Sequence, residues 1–159
     1  MKGRRLRFRK KKKRTYPDRC IEGVHYKRIN HAVYKYELLK NIDFETNIFG
    51  YDVDLEFFDL NIWGRLTVKK GYLSDGPSGP TIDTASFMRG AFFHDVLYQM
   101  LRMRLIPEFD KDFDKYRKIA DIILIQICKI DGMNFLRRQR VYYGLRIGGR
   151  SSALPNNLM

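Results

Sequence analysis

Cysteine is scarce in this chain: Cys20 and Cys128 are the only two among 159 residues. Two distant thiols exclude a disulfide-stapled scaffold and a cysteine-rich zinc module, and point to a reducing setting such as a cytoplasm or a particle assembled there. Long apolar runs are missing too. Ile122-Ile123-Leu124-Ile125 is among the longest, far short of the ~20 residues that span a bilayer. The basic N-terminus runs into Thr15-Tyr16-Pro17-Asp18 and not into an apolar segment, so neither a secretory signal nor a transmembrane segment is expected. Residues 1–14 contain no acid at all.

What fills that stretch instead is a block of ten cations: Lys2, Arg4, Arg5, Arg7, Arg9, Lys10, Lys11, Lys12, Lys13 and Arg14. Of the 31 basic residues, 21 remain to face all 18 acids, so only +3 of the net +13 belongs to the rest of the chain. A like-charge block cannot bury enough apolar surface to fold alone, so residues 1–16 are expected to form an arm that is disordered or ordered by a partner. Leu6 and Phe8, set between cations, would add small stacking contacts beside phosphates. Each phosphate neutralised on duplex DNA steepens the log–log salt dependence by roughly 0.9. The expectation is therefore non-specific, salt-sensitive binding of nucleic acid, DNA or RNA. An anionic membrane or cell-envelope polymer, or an acidic protein surface, answers to the same charge.

Residues 17–150 suit one α+β domain, with 151–159 as a loose tail. Tyr16 to Asn30 is mixed and reads as loop. In Ala32–Leu39 and Tyr51–Phe58 apolar and polar residues alternate with a period near two, Asn47–Gly50 would turn between them, and Ile62–Val68 follows. A small antiparallel β-sheet is the economical reading. Asp52, Asp54 and Glu56 invite a metal, but that spacing also describes the solvent face of a strand. Trp63 and the Phe57-Phe58 pair read as core. His25 and His31 have no spaced partners and read as surface or structural histidines.

Gly71–Pro80 (GYLSDGPSGP) is a constrained loop and not a P-loop, since no Gly-Lys-Ser/Thr follows. Three helices are expected after it. The first is capped by Asp83 or Thr84 and runs to about Leu105, with Pro107 closing it. The second, Phe113–Ile130, is stopped by Asp131-Gly132. The third, Met133 to about Ile147, would turn Arg137, Arg138, Arg140 and Arg146 outward and Phe135, Leu136, Val141, Tyr142 and Leu145 inward.

The first helix carries Phe92-Phe93-His94-Asp95-Val96-Leu97-Tyr98. A His-Asp pair in so apolar a segment needs partners if buried. His94 and Tyr98 share a face at i, i+4 while Asp95 is turned by about 100°. A crossing second helix could bring Asp121 onto the imidazole. That arrangement is an active site or a core network; in the second case Arg117 or Lys118, one turn back, would hold Asp121.

The order Asp75-Gly76-x-Ser78-x-Pro80, His94-Asp95-x-Leu97-Tyr98 and Ala120-Asp121, over roughly residues 65–150, resembles a family of small phage and prophage proteins. Those proteins carry DGxSxP, HDxLY and AD elements in this order. The resemblance implies a viral or prophage origin and an α+β fold, and with that origin residence in a virion or the host cytoplasm and other virion proteins as partners. It supplies no reaction. More distantly the pattern is similar to phospholipase A2, in which a calcium loop precedes an HDxxY helix and an aspartate on a second helix completes the site. That likeness implies His94 as the base, Asp121 orienting it, Tyr98 hydrogen-bonded to Asp121, and Asp95 binding Ca²⁺ with loop carbonyls at Gly76 and Gly79. The chain departs from it in lacking the cysteine framework and in carrying Pro77 and Pro80, which restrict those carbonyls. Two functions are thus expected: a virion or assembly protein with a nucleic-acid-binding arm, and a metal-assisted hydrolase of lipid or cell envelope.

Overall fold

The computed structural model describes residues 23–76 and 84–155. Seven short strands come first: β1 (Tyr26–Arg28), β2 (Tyr36–Leu38), β3 (Ile42–Glu45), β4 (Val53–Asp54), β5 (Phe58–Leu60), β6 (Arg65–Val68) and β7 (Leu73–Ser74). Helices follow: α1 (Ala85–Arg102), α2 (Glu108–Lys111), α3 (Phe113–Ile130), α4 (Phe135–Gly148) and α5 (Arg150–Ala153). The fold is α+β, as the patterning implies. The strands divide between two antiparallel sheets, ordered β1-β2-β7 and β3-β6-β5-β4, where one sheet was expected.

Local side-chain chemistry shortens the strands. Nδ1 of His31 accepts the amides of Val33 and Tyr34 at 3.1 and 3.2 Å, tying residues 31–34 into a turn and delaying β2 to Tyr36. The Leu55 amide donates to the Phe58 carbonyl at 2.9 Å, which breaks the expected 51–58 strand into β4 and the start of β5. Asn61 accepts the amides of Trp63 and Arg65 at 3.0 Å each, so β6 begins only at Arg65. The stretch read as loop before Asn30 contains β1, which pairs with β2 through Tyr26 opposite Leu38. Leu38, Leu60, Leu66 and Val68 point inward and are fully buried. Asp52, Asp54 and Glu56 are exposed, and Asp54 pairs with Lys69 at 2.7 Å, the solvent-face reading. Trp63 and Phe57, expected in the core, lie on the surface, Trp63 with 75% of its area exposed. Their turn positions, outside any regular strand, remove them from the alternation that buries Phe58.

Helix α1 is apolar on most sides because it is enclosed: Met88, Phe92, Phe93, Val96 and Met100 join the strand side chains in the main core. Burial of each such side chain contributes about 1.5–3 kcal/mol. Gly90 sets its distance from α3. A Cβ there would stand 2.7 Å from Leu124 Cδ1 and 3.3 Å from Cys128 Sγ, so the two helices meet closely at a residue without a side chain. Four residues on, His94 faces Asp121. The contacts climb one helix as they descend the other, so α1 and α3 run antiparallel.

Helix α1 ends at Arg102, before the expected Leu105. Arg104 is left-handed (φ 53°) and the Leu105 amide returns to the Met100 carbonyl at 3.1 Å, a termination that does not need Pro107. The ends of α3 fall where the sequence puts them, at Phe113 and at Asp131-Gly132, with Gly132 at φ 85°. Helix α4 departs from its expected orientation. Phe135 and Leu136 are exposed at 61% and 70%, Arg137 and Arg138 are half-buried, and Arg146 is turned inward. Residues 150–153 are helical, with Ala153 completely buried, so the first part of the supposed loose tail belongs to the packed body.

Candidate acid–base site

Asp121 lies on α3 with none of its surface exposed and receives three side chains. His94 Nε2 is 2.9 Å from its Oδ1. The Tyr98 hydroxyl donates to the same oxygen at 2.8 Å, and Arg146 Nη1 donates to Oδ2 at 2.7 Å. The structure therefore brings together His94, Tyr98 and Asp121. Burial pushes the Asp121 carboxyl up, but the hydrogen bond and the charge of a protonated His94, with the hydrogen bonds from Arg146 and Tyr98, outweigh it and hold the group below the usual carboxylate range. Burial, then the Asp121 charge, push the Tyr98 phenol up, so it stays a neutral donor.

The tautomer of His94 follows. An ionised carboxylate is acceptor-only, so Nε2 carries the proton donated to Asp121, and in the neutral ring Nδ1 holds the free lone pair. Among the described residues Nδ1 has no hydrogen-bond partner. The ring is 8% exposed and packs on Tyr98 with centroids 4.0 Å apart.

His94 borders a cleft of about 440 Å³ whose lining includes Ser74, Asp75, Asp95, Tyr98, Gln99 and Arg102. Strand β7 delivers Ser74 by pairing with β2, Tyr36 opposite Ser74. The Ser74 hydroxyl donates to Asp95 and accepts the Gly76 amide at 2.9 Å. Gly76 is left-handed (φ 78°), and a Cβ would stand 2.6 Å from the Tyr36 ring, so that turn needs glycine. Burial, then the neighbouring Asp75 charge, push the Asp95 carboxyl well above its usual range.

These facts bear on the calcium expectation. Asp95 is engaged by a hydroxyl, Gly76 presents its amide to Ser74, and among the described residues no three His, Cys, Asp or Glu side chains converge as metal ligands. Of the groups that the likeness places around Ca²⁺, Asp95 and the Gly76 amide both bond to Ser74; Gly79 lies outside the described residues, as do Asp83 and the arm cations from Lys2 to Arg14. His25 is exposed and His31 serves its turn. Among the described residues no helix is long and apolar enough to cross a membrane.

Arg146 is the partner that sequence reasoning missed. Neither Arg117 nor Lys118 holds Asp121: the guanidinium of Arg117, buried on α3, donates to the carbonyls of Leu145 and Arg146 at 3.1 and 3.3 Å and so clamps the end of α4. No sequence signal marked Arg146, because the apolar pattern of α4 gave it an outward face. Arg102 and Gln99 were findable. They follow Asp95 at i+7 and i+4, the spacing that keeps side chains on one side of a helix. No family model matches the chain, and no curated protein or solved structure matches it.

Proposed function

We propose that the chain is a hydrolase in which His94 is the general base toward a lipid or cell-envelope acyl substrate held in the cleft. One observation carries the reading: a nine-tenths buried imidazole that borders the cleft is fixed through Nε2 by a buried carboxylate, while Nδ1 has no partner among the described residues. A neutral imidazole takes a proton near pH 7. Nδ1 would remove one proton from water, the resulting hydroxide would add to the acyl carbon, and the same proton would pass to the leaving oxygen or nitrogen as its bond breaks. Asp121 fixes the ring and stabilises the imidazolium; Arg146 keeps Asp121 ionised when a substrate displaces water from the cleft.

The test incubates the full chain with phospholipid vesicles and with peptidoglycan fragments, each with Ca²⁺ and with EDTA. Wild type should release product from one of the two, and His94→Gln should lower the rate ~100-fold or more with an unchanged melting temperature. Calcium dependence would make Asp95 a ligand. Absence of release from both substrates, or equal rates in wild type and variant, would contradict the reading.

The charge distribution favours a second role. Ten cations without one acid in residues 1–14 support non-specific nucleic-acid binding by a virion or assembly protein, with other virion proteins around its body. Removing residues 1–14 should abolish salt-sensitive retention on DNA and RNA, and retention that survives the deletion contradicts it.

A further inference from the structure

The floor of the cleft is one face of α1, and its polar groups are sorted by sign along the helix axis. At one end Asp95 and Asp75 both line the cleft, and the Ser74 hydroxyl donates to Asp95. At the other end, seven residues on, Arg102 uses Nη1 on the Ser152 carbonyl at 2.6 Å, and its remaining N–H groups have no partner among the described residues. Between them Gln99 offers an amide whose N–H, among the described residues, reaches the Met103 sulfur alone, at 3.6 Å. Tyr34, Tyr72 and Leu73 on the strand side and Leu145 on the helix side make the walls apolar. At 1.5 Å per residue the acidic and cationic ends are about 10 Å apart along the axis.

We infer that the cleft binds a short peptide by both free ends, its ammonium at Asp75 and Asp95 and its carboxylate at Arg102, with the backbone between them passing Gln99 and His94. The inference rests on the reading that this cleft is where His94 meets its substrate, and it names the class: a peptide of about three residues, since an extended chain spans about 3.3–3.6 Å per residue. Two neighbouring carboxyls disfavour each other's ionisation, which a cation between them relieves, and a guanidinium fork matches a carboxylate in two parallel hydrogen bonds. Aromatic walls suit the middle of such a ligand. A fatty acyl chain would leave both charged ends of the cleft unmatched. A substrate presenting free amino and carboxyl groups about 10 Å apart, as the peptides of cell-envelope polymers can, matches both.

Calorimetry on the full chain, with trialanine as the probe, tests this directly. Trialanine should bind, and acetylating its amine or amidating its carboxyl should each weaken binding about tenfold or more. Arg102→Gln should remove the difference between the free and amidated peptides while keeping that between the free and acetylated ones; Asp75→Asn should do the converse. The titration reads binding and not turnover, so an absence of hydrolysis would contradict the general-base reading and leave this inference standing. No heat with trialanine, equal binding of the blocked peptides, or displacement of trialanine by CaCl₂ would overturn it. The blocked peptides are compared on the unaltered protein, so the test holds even where a variant fails to fold.

Discussion

Asp121 is completely buried and still ionised, which is possible because its two oxygens take donors from His94, Tyr98 and Arg146. Replacing it by Asn keeps the shape and removes the charge, leaving the Arg146 guanidinium without a counterion; breaking a buried pair from one side costs about 3–5 kcal/mol. Urea denaturation of Asp121→Asn should show a loss of that order, and a loss under about 1 kcal/mol would mean that Arg146 relaxes into solvent. Because the folded value lies below the unfolded one of about 3.9, the native state binds fewer protons than the unfolded chain in acid. The stability owed to this carboxylate is therefore complete well above about pH 4 and is lost as pH falls through the lower folded value. Wild type should lose stability in that window faster than Asp121→Asn does. Tyr98→Phe keeps the ring and removes one donor to a charged acceptor, a cost of about 1.5–3 kcal/mol. Gly149 guards the same hydroxyl, since a Cβ there would lie 2.7 Å from it.

Among the helices, the approach of α1 to α3 decides whether the imidazole reaches the carboxylate. Gly90→Val would press its branched side chain on Leu124 and Cys128 one turn from His94. Overpacking of that kind costs about 1–3 kcal/mol, to which the poorer helix fit of a branched side chain adds. A thermal melt should show the loss, together with a weakened His94 to Asp121 contact, and an unchanged melt would mean that the helices tolerate wider separation. Much at this scale was legible in the sequence. The limits of α3 were set by its apolar run and by Asp131-Gly132, and the i, i+4 spacing put His94 and Tyr98 on one face; the Asp121 contact then followed from two neighbouring helices. The orientation of α4 was not legible, because Phe135 and Leu136 obey helical periodicity without being covered by another element. Nor was the shortening of the strands, which depends on single side chains, His31 and Asn61, capturing backbone amides. Arg146 escaped notice for the same reason as Leu136: pattern assigns faces, but only packing says which face meets another helix.

The whole molecule separates charge from chemistry. Its first 14 residues hold ten cations, while the remainder is close to balance at +3 and contains the cleft. The two proposed roles should therefore separate by truncation: the chain lacking residues 1–14 should hydrolyse as wild type does and lose its salt-sensitive hold on nucleic acid. Hydrolysis lost together with nucleic-acid binding would tie the arm to the site. The central claim concerns one proton, and nitrogen NMR of the labelled full chain above about pH 8, where an ordinary imidazole is neutral, reads it. The account predicts that the His94 ring is protonated at Nε2 and bare at Nδ1. A ring protonated at Nδ1 and bare at Nε2 would contradict it, because no base would then face the cleft.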